Sequence, residues 1–91
     1  MNKTNQIVIG RVVSEPVLTC KDHSVITSFR IVDDNRAEEY VIIAQDKEAR
    51  ICKKYLRNGF LCCVDGKYNT SGDSIIANRV TFMDCNNSHK E

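Results

Sequence analysis

The chain has 91 residues, enough for one hydrophobic core and too few for a second domain with its own cofactor fold. Hydrophobic residues make up 42% and charged residues 27%, the balance of a folded domain rather than a disordered one. Thirteen Lys and Arg against twelve Asp and Glu leave a formal charge of +1. That excludes a histone-like coat for polyanions but leaves room for a local basic face.

The polar stretch Met1 to Gln6 runs straight into an apolar strand, so no secretory leader is expected. No apolar run approaches the roughly 18 residues of a membrane helix, which points to a cytoplasmic protein with no membrane partner. Gln6 to Val13 reads as a strand closed by Pro16, with Gly10 inside it. A glycine there marks a bulge or a close approach of another backbone. Lys21-Asp22-His23-Ser24 is a polar turn, and Val25 to Val32 the second strand. Ile26 and Phe29 are three apart, which predicts a bulge; beyond it Phe29 and Ile31 share one face and Arg30 takes the other. Asp33-Asp34-Asn35-Arg36 is a tight hairpin turn into a third strand, Glu39 to Ala44.

The period changes at Asp46, the expected N-cap of a helix. Ala49, Cys52, Tyr55 and Leu56 form its apolar stripe, opposite Lys47, Glu48, Arg50, Lys53 and Lys54. Asn58-Gly59 supplies the left-handed residue expected to end it. Leu61 to Tyr68 is the fourth strand, Asn69 to Ser74 a turn, and Ile75 to Met83 the fifth strand. Residues 1–84 form one domain and 85–91 a flexible polar tail. The order β-β-β-α-β-β is that of an all-β chain with one helix, an OB-fold: a five-stranded Greek-key barrel. An SH3-like barrel places no amphipathic helix at that point.

Five cysteines, Cys20, Cys52, Cys62, Cys63 and Cys85, include no C-x-x-C pair and fit neither a disulfide framework nor a zinc site. Cys62 and Cys63 point to opposite faces of a strand and cannot hold one ion together. They read as reduced, mostly buried small hydrophobes. His23 lies in a turn and His89 in the tail, neither beside a nucleophile, and there is no phosphate loop. No catalytic residue, metal site or cofactor is therefore expected, and the chain is not read as an enzyme. Asp33, Asp34, Glu38 and Glu39 match no EF-hand spacing and read as a solvated acidic turn.

An ordered set of short stretches carries a family likeness across residues 5–83. It comprises Ile9-Gly10-Arg11, Glu15-Pro16, Val25-Ile26-Thr27-Ser28-Phe29-Arg30-Ile31, Glu39-Tyr40, Tyr55-Leu56-Arg57-Asn58-Gly59 and Val64-Asp65-Gly66-Lys67. The set resembles the bacterial single-stranded DNA-binding protein family, to which primosomal replication protein N is related. The resemblance implies sequence-independent binding of single-stranded DNA, or of RNA, in replication, repair, recombination or transfer of plasmids and mobile elements. It also implies a homodimer or homotetramer. Three departures stand out: a short acidic hairpin in place of a long basic one, no Trp, and no Gly/Pro-rich linker with an acidic tip. They imply a tail-less paralogue that does not recruit replication proteins through such a tip.

Binding a single strand needs cations for phosphates and exposed rings for bases. Strand alternation puts Arg11, Arg30, Lys67 and Arg79 outward, and offers Tyr40 and Tyr68 as rings, with Phe60 a weaker third. Tyr40 falls where the family it resembles has its stacking aromatic. The plainer alternatives are a tyrosine that covers the core and cations that keep the surface solvated. Phe29, Phe82 and Tyr55 read as core. Ile7, Val8 and Ile9 are all apolar, so one face of the first strand is expected to pair with another copy. The competing function is a protein-interaction module that kept the fold and lost the nucleic acid, which the acidic hairpin and missing Trp support.

Overall fold

The computed structural model describes residues 5–33, 35 and 37–83. Six strands and one helix follow in the order β1 (Gln6–Val12), β2 (Val17–Lys21), β3 (Ser24–Asp33), β4 (Glu38–Gln45), α1 (Asp46–Tyr55), β5 (Leu61–Tyr68) and β6 (Ile75–Phe82). The sheet runs β1-β5-β6-β4-β3-β2, and a β1–β3 pairing closes it. β4 and β6 pair in parallel at Ile42↔Ile75 and Ile43↔Ile76; the other pairings are antiparallel. The result is a five-stranded OB-fold barrel with β2 as an additional edge strand.

β2 adds to the expected five-stranded barrel a strand that the sequence reading does not contain. All its side chains are exposed, so it carries no alternation to recognise. Its signal lies in the turn: Lys21 pairs with Ser24 across Asp22 and His23, whose φ values are 49° and 68°. Two consecutive left-handed residues are the two-residue hairpin connection that matches strand twist.

Gly10 behaves as its place in the strand predicts. β1 joins β3 at Arg11↔Val32 while still paired with β5 at Arg11↔Leu61, and a Cβ on Gly10 would overlap the Val32 carbonyl. The bulge expected at Ile26–Phe29 is absent, since β3 and β4 pair without a break from Ile26↔Gln45 to Asp33↔Glu38. Thr27, not Ile26, faces inward with Phe29 and Ile31. Its hydroxyl donates to the Ala49 carbonyl at 2.8 Å, which lets a polar residue occupy a core position. A register shift lies instead at Asp65/Gly66, where a Cβ on Gly66 would overlap the Ile76 carbonyl.

Asp46 is not the cap. It is the first helical residue, at φ 51°, and Gln45 before it makes no side-chain capping bond. Ala49, Cys52 and Leu56 are fully buried, whereas Tyr55 is 49% exposed at the helix rim. Tyr55 is therefore not core; its ring lies 6.2 Å from that of half-buried Phe82. The helix also ends before Asn58-Gly59, with Leu56 extended and its N–H bonded to the Cys52 carbonyl. Gly59, at φ 98°, shapes the following turn, and its N–H donates to the Val12 carbonyl at 2.7 Å.

Cys52 and Cys62 are buried, Cys63 is half-buried, Cys20 is exposed, and all four are free thiols. Burial pushes the Cys52 thiol up to about 12, with Glu48 and Cys62 adding to the shift. Asp34, Arg36, Cys85, His89 and the expected tail 85–91 lie outside the described residues. Among the described residues no helix is long and apolar enough to cross a membrane.

Candidate nucleic-acid interface

Alternation along β3 and β4 sends Thr27, Phe29 and Ile31, with Ile42 and Ala44, into the core. The intervening residues form an outer surface on which Ser28 faces Ile43, Arg30 faces Val41 and Val32 faces Glu39. β2 extends it by placing Val17 beside Ser28. A cleft of about 330 Å³ opens there, lined by Ser14, Val17, Ser28, Arg30 and Val41 among others. Ser14 fixes the near wall, accepting the Arg30 backbone N–H on its hydroxyl oxygen at 3.0 Å. The Arg30 guanidinium meets the Glu39 carboxylate at 2.9 Å, with side chains 53% and 47% exposed.

A second cleft of about 200 Å³ shares Val41 with the first and lies between Tyr40, Tyr68 and the β5–β6 turn. The parallel closure creates it: Ile75 pairs with Ile42 on one side and Tyr68 on the other. Tyr40 is half-buried against the core, and its hydroxyl donates to Glu38 at 2.7 Å. Tyr68 is 38% exposed. In the turn, the Asn69 side chain accepts the Gly72 N–H at 2.8 Å and donates to Asp73. Hydrogen bonds from Asn69 and Ser71 hold the Asp73 carboxyl below its usual range.

Tyr40 and Tyr68 thus share one cleft and Arg30 lines the other, the two meeting at Val41; Tyr40, opposite Ile31, has the inward sense of Ile42 and Ala44, whereas Arg30 points outward. Lys67 is exposed beside Tyr68, opposite Ile76 on β6. Arg11 borders the surface through its register with Val32, and its guanidinium donates to the Gly59 carbonyl at 3.0 Å. Arg79 stands apart. It is opposite Asp65 on β5, on a part of β6 not paired with β4, and lines neither cleft. Phe60 packs against the core. Lys21 gives no sequence signal of its own, because β2 is exposed along its whole length. It lines a further cleft with Ser24, Ile26 and Gln45 at the far end of the same surface. Chemically the outer surface offers an aliphatic shelf and one guanidinium fork, and the adjoining cleft two phenol rings.

Neither a protein-family model nor a curated protein sequence matches the chain. Solved structures do. The second single-stranded DNA-binding protein of Mycobacterium smegmatis superposes with a TM-score of 0.81 at 18% identity, covering 99% of this chain and 98% of that one. The SSB domain of a Synechococcus sp. protein gives 0.78 at 13% identity, over 89% and 97% of the two chains. The mitochondrial single-stranded DNA-binding protein of S. cerevisiae gives 0.75 at 19% identity, over 91% and 97%. At these identities the likeness is one of fold: this chain has the OB-fold barrel that those proteins share, nearly end to end.

Proposed function

We propose that this protein is a non-catalytic, cytoplasmic binder of single-stranded DNA that does not read sequence. The observation that carries the proposal is the match to three single-stranded DNA-binding structures over at least 97% of each. In this reading the Arg30 fork takes a backbone phosphate, and Tyr68 and Tyr40 offer ring faces to bases. Val17 and Val41 cover sugar and base edges between them. Lys67 and Arg11 flank the track, and Arg79 engages a strand that continues around the barrel. The processes served are replication, repair, recombination or transfer of plasmids and mobile elements.

The protein acts as a homodimer or homotetramer assembled through the outer face of β1 and β5. Ile7 is 69% and Ile9 48% exposed there, Ile9 opposite Cys63 and Ile7 opposite Asp65 on β5. Exposed isoleucines of this kind are stabilised by a second copy. One observation favours the interaction-module alternative, namely that the cation central to the cleft is already paired with Glu39.

Titrating a fluorescein-labelled oligothymidylate at low salt decides between the two. Saturable anisotropy, equal for a mixed-sequence oligonucleotide, is the expected result, and a flat titration leaves the interaction module. An oligouridylate titrated alongside separates RNA from DNA preference.

A further inference from the structure

Arg30 and Glu39 sit on adjacent strands one register step apart, Arg30 opposite Val41 and Glu39 opposite Val32, so they meet diagonally on the outer surface. Their contact at 2.9 Å spans the wall where the first cleft meets the second. A guanidinium fork matches carboxylate and phosphate with the same geometry. The carboxylate therefore occupies the position a strand phosphate needs. Both side chains are about half exposed, so either can turn to water at small cost.

We propose that Glu39 is an internal stand-in for phosphate, and that a single strand binds Arg30 by exchanging a backbone phosphate for this carboxylate. The inference rests on the single-strand reading above and deepens it. Displaced from Arg30, Glu39 is left without its compensating charge on an exposed surface, where it draws a cation from solution. That uptake offsets a counterion released by the DNA. Exchange thus makes the site both weaker and less salt-dependent than an unpaired arginine. It also favours a polyanion, whose neighbouring phosphates compete persistently for the fork, over a free nucleotide.

The test measures oligothymidylate anisotropy across a sodium chloride series for the parent, Glu39→Gln, and Glu39→Gln combined with Arg30→Ala. Glu39→Gln is expected to bind about two- to fivefold tighter at low salt, the range an exposed ion pair is worth. Its salt slope should steepen by about 0.7, the single-strand value per phosphate. Adding Arg30→Ala should remove both gains. Glu39→Thr, which keeps β-propensity, repeats the first measurement should the glutamine variant melt early. If the parent binds and both Glu39 variants match its affinity and slope, exchange is wrong and the single-strand reading stands. If no chain binds at any salt, that reading and this inference fall together.

Discussion

On β1 and β5 the outward residues include Ile7, Ile9, Leu61 and Cys63; on β3 and β4 they include Ser28, Arg30, Glu39 and Val41. The same alternation builds both surfaces, yet the first exposes two isoleucines in line with Arg11, Asp65 and Lys67, and the second carries an internally neutralised charge pair. Their backbones differ too. Gly10 and Gly66 lie on β1 and β5, where closure of the barrel brings the Val32 and Ile76 carbonyls too near for a Cβ. β3 and β4, paired in unbroken register, contain no glycine. One side of the barrel is shaped by closure and exposes Ile7 and Ile9; the other is a regular ribbon that presents polar groups.

The sharpest way to break this contrast is to charge the isoleucine side. Ile7→Glu with Ile9→Glu is expected to convert an oligomer into a 10.3 kDa monomer by light scattering. Two buried isoleucines are worth about 3–6 kcal/mol together, enough to raise the dissociation constant at least 100-fold. A parent already monomeric at roughly tens of micromolar would end the interface proposal, since the loss expected of the variant leaves nothing to break at that concentration.

The glycine contrast predicts the next effect. Gly10→Ala should lower stability by about 3 kcal/mol, the upper end of the overpacking range, because its obstacle is backbone that side-chain rotation cannot move. Ser28→Thr on the ribbon side should stay within about 0.5 kcal/mol. Urea midpoints for the two variants measure the difference.

The two tyrosines sharpen the polar side. Tyr68→Ala is expected to weaken oligothymidylate binding by about 1–3 kcal/mol with little change in melting temperature. Tyr40→Ala should lose binding and melt earlier, because its ring also packs on the core. Tyr40→Phe keeps the ring and gives up the bond to Glu38, so binding should survive it. A Tyr68→Ala chain that binds like the parent removes the ring from the site.

The smallest effects concern the thiols. Cys20 should react fastest with a thiol reagent and Cys63 more slowly, while Cys52 and Cys62 await unfolding. Cys52 also sets a pH dependence. Its thiol is raised from 9.0 to about 12, so the unfolded chain releases this proton first and holds fewer protons between those values. Its stabilising contribution is complete below pH 9 and declines as pH rises towards about 12. Urea titrations at pH 8 and pH 10 should show the lower midpoint at pH 10, and Cys52→Ala should flatten the difference.

Legible along the chain are the helix after the third core strand, the outward sense of Arg11, Arg30, Lys67 and Arg79, and the close approach at Gly10. Each follows from a period or a backbone constraint local to a few residues. The rest comes from pairing and packing in three dimensions. β2 exists because β3 offers an edge to pair with, not because its own residues alternate in burial. Thr27 is core because the Ala49 carbonyl of α1 lies within reach of its hydroxyl, and Tyr55 is rim because the helix ends there. Tyr40 and Tyr68 share a cleft only through the parallel pairing of β4 with β6, and Arg30 meets Glu39 only through the β3–β4 register. Periodicity tells which way a side chain points along its own strand, whereas its neighbours depend on pairings between segments distant in the chain, to which that period is blind.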